Sequence, residues 1–87
     1  MAKILLVDDE LSILNVLSVL LRAEGYEVSA CDSGEKALAL IRDAEFDLMI
    51  SDIRMRPMDG MTLLKLALEH RPSLCVIMVT GYGSVET

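Results

Sequence analysis

Aromatic residues are nearly missing from this chain, which holds no tryptophan, one phenylalanine and two tyrosines in 87 residues. Its core must therefore be assembled from Leu, Ile, Val, Met and Ala, and the length allows one domain with one small core. Cysteine and proline occur twice each. Cys31 and Cys75 have neither metal-binding nor redox spacing, so both are expected as buried thiols in a reducing compartment. Positive charge is scarce: eight Lys and Arg stand against 14 Asp and Glu, a net charge of −6. That balance argues against nonspecific nucleic-acid binding through this segment. It suits a cation site, a basic partner or simply a solubilising surface. No apolar run approaches the roughly 18 residues a membrane span needs, and the N-terminal run is too short for a signal-peptide core. The expectation is a cytoplasmic protein with no membrane contact.

What is present is a regular alternation of short apolar runs and amphipathic stretches. Residues 3–7 (Lys-Ile-Leu-Leu-Val) form an apolar run that stops at Asp8 and Asp9. Residues 11–24 follow a helical period, with Leu14, Leu17, Leu20 and Leu21 on one stripe, Ile13 beside it and Gly25 as a stop. Residues 26–31 alternate, with Tyr26, Val28 and Ala30 on one face of a half-exposed second strand. Ser33 begins a second helix, with Lys36 where a capping box would place Glu. Ala37, Leu38, Ile41 and Ala44 form its inner stripe. Residues 47–51 are a third strand and 52–60 a loop. A third helix over 61–70 places Leu63, Leu64, Ala67 and Leu68 inward and stops before Pro72. Residues 74–79 make a fourth apolar strand. A glycine-rich turn follows, and Ser84 has the character of an N-cap. The order β-α-β-α-β-α-β implies an α/β fold with a parallel sheet covered by helices on both faces.

The chemistry lies at the strand ends. Asp8 and Asp9 follow the first strand, Asp52 the third and Thr80 the fourth. In a parallel sheet these ends share one edge, where open α/β sheets bind ligands. Three carboxylates brought together repel one another unless a cation is present. Mg²⁺ suits such a place, because it takes oxygen ligands and combines one or two carboxylates with water and phosphate oxygens. A carboxylate is also a nucleophile that forms an aspartyl-phosphate, and phosphoryl transfer asks chiefly for in-line positioning and neutralised oxygens. The Thr80 hydroxyl and nearby backbone N–H groups are candidate donors to those oxygens.

These residues resemble a known family, the receiver domain of bacterial two-component response regulators. The matching stretches are Ile4-Leu5-Leu6-Val7-Asp8-Asp9-Glu10, Asp47-Leu48-Met49-Ile50-Ser51-Asp52-Ile53-Arg54-Met55, Met58-Asp59-Gly60 and Val79-Thr80-Gly81. The resemblance implies a flavodoxin-like three-layer sandwich with strand order 2-1-3-4. It also implies roles. Asp52 is the phosphoacceptor, Asp9 a direct Mg²⁺ ligand, Asp8 a ligand acting largely through water, and the Arg54 backbone carbonyl a further ligand. Thr80 is the switch hydroxyl, with Tyr82 near it. A sensor histidine kinase donates the phosphoryl group, and the domain is not a conventional enzyme. It is a phosphoacceptor capable of Mg²⁺-dependent self-phosphorylation and self-dephosphorylation. His70 has no part in this and is expected on the surface at the end of the third helix. The wording of residues 51–55 and 80–87 is most similar to receivers of nitrogen-regulation-type transcription activators, implying a downstream transcriptional output.

Two departures from the family pattern bear on expectations. Arg56 stands where the family usually has Pro, and Pro57 follows, so the loop after Asp52 is expected to take a different path. The sequence also stops at Thr87, before the family's fifth strand, its Lys and two helices. The chain is therefore expected to be the N-terminal two thirds of a receiver, over residues 1–87, and to be weakly phosphorylated. An uncovered fourth strand and first helix then favour a homodimer, by pairing of the fourth-strand edge or by segment exchange. Two other readings compete. A phosphohydrolase with an Asp-x-Asp nucleophile would need Asp where Glu10 stands. A receiver-like interaction module would use the fold without phosphoryl turnover.

Overall fold

The computed structural model describes residues 2–79. Over these the order is β1 (Lys3–Val7), α1 (Leu11–Ala23), β2 (Glu27–Cys31), α2 (Gly34–Asp43), β3 (Leu48–Asp52), α3 (Gly60–His70) and β4 (Cys75–Val79). The four strands form one parallel sheet in the order β2-β1-β3-β4. Thr80, the glycine-rich turn with Tyr82, and Ser84 lie outside the described residues.

Alternate residues of the strands feed two cores. Leu5, Val7 and Met49 point to one face, where they meet Ala37, Leu38 and Ile41 of α2 and Leu63 and Ala67 of α3. Leu6 and Val28 point to the other, where Leu14 closes a smaller core flanked by Leu17, Leu21 and Ile50. The result is three layers, with two helices on one face of the sheet and α1 on the other.

The helix ends follow from local chemistry. At the end of α1, Gly25 adopts φ +97°, its N–H donates to Arg22 O at 2.9 Å, and Tyr26 N–H donates to Leu21 O at 3.2 Å. This is a Schellman motif, and the left-handed turn is open to glycine without a side-chain penalty. Ser33 Oγ accepts from Lys36 N–H at 3.2 Å, so the serine caps α2. Lys36, where a capping box would place Glu, instead pairs with Asp32 at 2.8 Å on the surface.

Several sequence expectations are corrected. Leu20 is 56% exposed, while Ser18 turns inward. The true inner line of α1 runs through Leu14, Ser18 and Leu21, and Leu20 sits about 100° around the helix from Leu21. β2 is half-exposed as expected, with Tyr26, just before it, and Ala30 facing solvent, and it is Val28 and Cys31 that reach the two cores. Cys75 is exposed rather than buried. It belongs, with Ile77 and Val79, to the face of β4 that neither α2 nor α3 covers. β3 extends one residue further than expected and includes Asp52.

The two thiols should therefore react differently. Burial pushes the Cys31 thiol up to about 11, with the Ser33 carbonyl 3.7 Å from its sulfur. Since thiolate is the reactive form, Cys31 is inert in the folded protein. A disulfide-exchange reagent is expected to label Cys75 rapidly and Cys31 only on unfolding; two fast equivalents would contradict the burial of Cys31.

Candidate metal centre

Parallel pairing builds the site. Val7 is in register with Ser51, and Asp52 with Val79, so Asp8 emerges beside Asp52 at the carboxyl edge of the sheet. Asp8 N–H donates to Cys31 O at 3.2 Å and Ile53 N–H to Val79 O at 2.7 Å. Both acids are thus held by strand pairing just where the chain leaves the sheet.

One carboxylate oxygen each from Asp8, Asp9 and Asp52 lies within 4.8 Å of the others. Asp8 is 4% exposed and Asp52 7%, whereas Asp9 faces solvent. Asp8 Oδ1 accepts from Glu10 N–H at 2.9 Å, and Asp52 Oδ1 accepts a longer bond from Arg54 N–H at 3.3 Å. Among the described residues no Lys or Arg forms an ion pair with any of the three. Burial is the main reason the Asp8 carboxyl is held above its ordinary value. The Glu10 N–H partly opposes this, and the negative charges of Asp52, Asp9 and Glu10 add to it.

Two buried carboxylates without a cationic side chain make a costly arrangement. An all-oxygen donor set of this spacing fits a hard divalent cation, which would reverse the sign of the local field. Asp9 and Asp52 border a cleft of about 600 Å³ that is also lined by Arg54, Met55 and Arg56. Arg54, the second residue after Asp52, therefore lines the site. The Arg56–Pro57 peptide in the same loop is cis. Thr80, the fourth expected site residue, lies outside the described residues. His70 is exposed at the opposite end of the molecule, near a separate cleft formed with Phe46 and Arg71.

The sequence places Ser51 at the end of the third strand and Asp59 in the following loop, with no side-chain role for either. Asp59 caps α3, its Oδ1 accepting from Thr62 N–H at 2.8 Å, and that bond holds its carboxyl below the usual range. An Asp three residues before a Thr at the start of an apolar period was the available signal. Ser51 is fully buried and donates from Oγ to Asp52 O at 3.0 Å. No pattern in the sequence marks that contact.

A four-stranded parallel sheet with an acid cluster at its carboxyl edge defines a class of phosphate- or metal-handling α/β domains. Comparison narrows it: residues 4–87 match the response regulator receiver domain model, and the chain belongs to that family. It is 44% identical over 84 residues to the transcriptional regulatory protein ZraR of Escherichia coli, covering 97% of this chain and 19% of that protein. The chain thus spans about a fifth of the length of such curated relatives. Among solved structures it is similar to the response regulator TrrA of Thermotoga maritima in complex with Mg²⁺ and BeF, with TM-score 0.90 and 33% identity. That match covers 97% of this chain and 73% of the other. A receiver domain protein of Methanospirillum hungatei, described as CheY-like, aligns with TM-score 0.91 and 40% identity, over 98% of this chain and 68% of the other. The expected α/β fold, with its strand order and flavodoxin-like layering, is borne out.

The raised Asp8 carboxyl gives a test with a definite sign. Its folded value lies above the ordinary 3.8, so the folded state holds the proton more tightly than the unfolded chain. Without a cation, ionising Asp8 opposes folding once the pH rises above that ordinary value. Asp8→Asn is therefore expected to be more stable than wild type in chelator at neutral pH, with the gap closing as pH falls toward 3.8. The same variant should bind Mg²⁺ about tenfold or more weakly. Thermal melts with and without Mg²⁺ read both effects.

Proposed function

We propose that this chain is a phosphoryl-accepting receiver of a two-component pathway, working in the cytoplasm with Mg²⁺. Asp52 is the acceptor. One of its carboxylate oxygens attacks the phosphorus of a phosphohistidine on a sensor histidine kinase. The P–N bond breaks, an acyl phosphate forms on Asp52, and the leaving imidazole nitrogen takes a proton. Asp9, Asp8 and the Arg54 carbonyl, together with Asp52, would hold the cation, and Thr80 supplies the switch hydroxyl. A bound cation would supply positive charge to offset the phosphoryl oxygens and the three carboxylates. The domain gains and loses the phosphoryl group itself and does not turn over a separate substrate. Its phosphorylation switches an output, transcriptional in kind, carried elsewhere in the full protein.

The observation that carries this reading is the position of Asp52. It is the last residue of a central strand, almost fully buried, and within 4.8 Å of two further carboxylate oxygens. The family match, a relative that is a transcriptional regulatory protein, and the Mg²⁺–BeF complex of TrrA support the same role. A similar structure, that of histidine kinase ThkA in complex with TrrA, supports a kinase as the donor.

Beryllofluoride mimics an aspartyl-bound phosphoryl group and gives the test. With Mg²⁺ it is expected to raise the Tm of the 87-residue chain beyond the shift from Mg²⁺ alone, because it binds only the folded state. Asp52→Asn should abolish the additional shift. An equal shift in that variant would remove Asp52 from the acceptor role.

A second observation favours self-association. Among the described residues β4 has β3 as its only strand neighbour, and Cys75, Ile77 and Val79 are exposed along it. We propose a homodimer in which β4 edges pair across a two-fold axis or segments exchange. Light scattering is expected to show a dimer mass that rises with concentration. A monodisperse monomer at high concentration rejects the homodimer, while a beryllofluoride response lost in Asp52→Asn rejects the reading of the chain as an interaction module without phosphoryl turnover.

A further inference from the structure

We infer that Gly60 is a positioning residue for the acidic centre, because the space left by its missing side chain lets the first turn of α3 seat against the backbone of Asp52 and Ile53. The inference rests on the reading of that centre as a divalent-cation site.

Gly60 is buried, and its N–H donates to Ile53 O at 2.8 Å. A methyl group on its Cα would fall inside contact distance of the Asp52 carbonyl oxygen and 2.7 Å from Ile53 Cα. Both are backbone atoms, so neither can turn aside as a side chain does. The third neighbour, Met78 Cε at 2.9 Å, is the flexible end of a side chain and can move. Gly60 has no positive φ, so space alone makes glycine necessary there.

The Asp52–Ile53 peptide is held from three directions. Ser51 Oγ donates to its carbonyl at 3.0 Å, its N–H donates to Val79 O at 2.7 Å, and Gly60 abuts it. The Asp52 carboxylate leaves the chain on one side of that peptide, and Arg54 follows on the other. An added methyl must therefore move either α3 or this peptide. α3 is anchored by Leu63 and Ala67, both fully buried between the helices and the sheet, and by its Asp59 cap. The peptide sits where β3 ends, held by single bonds rather than by strands on both sides, so it yields first. Mg²⁺ demands near-octahedral geometry at about 2.1 Å, and ligand positions matter to about 0.2 Å. A displacement of a few tenths of an ångström reaches the cation.

Two other glycines supply controls. Gly25 has open space around a Cβ but φ +97°, so Gly25→Ala loses stability through backbone strain far from the acids. Gly34→Ala meets only the Met58 side chain. The experiment measures Mg²⁺ affinity calorimetrically, Tm in chelator, and the amide resonances and exchange rates of Ile53 and Arg54 without metal. Gly60→Ala is expected to weaken Mg²⁺ binding about tenfold, shift both amides and speed exchange at Ile53. Gly25→Ala is expected to lower Tm while keeping Mg²⁺ affinity within about twofold, since effects at distant sites are independent. Unchanged affinity in Gly60→Ala, or an equal loss in Gly25→Ala, overturns the inference.

Should Gly60→Ala fail to fold, Asp59 carries the test, since both Asp59→Ala and Asp59→Asn remove the charge while Asn keeps the cap. Asp59→Ala is expected to bind Mg²⁺ more weakly than Asp59→Asn, and equal affinities overturn the inference. If wild type binds no Mg²⁺, the cation reading has failed. The positioning claim is then judged by the metal-free amides of Ile53 and Arg54, and their silence in the Asp59→Ala and Gly60→Ala variants overturns it separately.

Discussion

The parallel pairing of β1 with β3 is the constraint on which the rest depends. It sets Val7 opposite Ser51 and so delivers Asp8 beside Asp52. A slip of one residue would turn every side chain of β3 to the opposite face. Met49 would leave the core beneath α2 and α3, and Asp52 would leave the acid cluster. The register that packs the larger core is therefore the register that assembles the site, and the two cannot be separated by mutation of β3.

That coupling explains how the fold tolerates two buried carboxylates that form no ion pair among the described residues. The repulsion sits at the sheet edge, next to water and a cleft, while Leu5, Leu6, Val7 and Met49, almost wholly buried, stabilise the same strands a few residues away. Asp8 is held there by backbone bonds rather than by an opposing charge, since Cys31 O takes its N–H and Glu10 N–H meets its carboxylate. Backbone donors orient a carboxylate without cancelling its charge, which leaves the charge available to a cation.

Much of this was legible in the chain. The apolar runs at residues 3–7 and 47–51, the helical period of 61–70 and the stop at Gly25 each map onto an element within a residue or two. A parallel sheet then forces their carboxyl ends to one edge. The misreadings have physical causes. Leu20 was placed inside because periodicity shows an apolar stripe but not its width, and Ser18 took part of that stripe. Cys75 was expected to be buried because an apolar strand reads the same whether both its faces are covered or one is bare. Asp52 was placed in the loop because a polar residue ends an apolar run by eye, whereas strand pairing continues through it to Val79.

The sequence alone determined the alternation of elements, the identity of the acids and the strand ends on which they stand, because hydrophobic period and punctuation are local properties. Tertiary structure decided the rest. The distances from Asp52 to two carboxylates 43 and 44 positions earlier in the chain, the burial of Asp8 against the exposure of Asp9, and the seating of Gly60 on Asp52 depend on strand register and helix packing. Those are settled by the fit of the whole core, which no local stretch of residues contains.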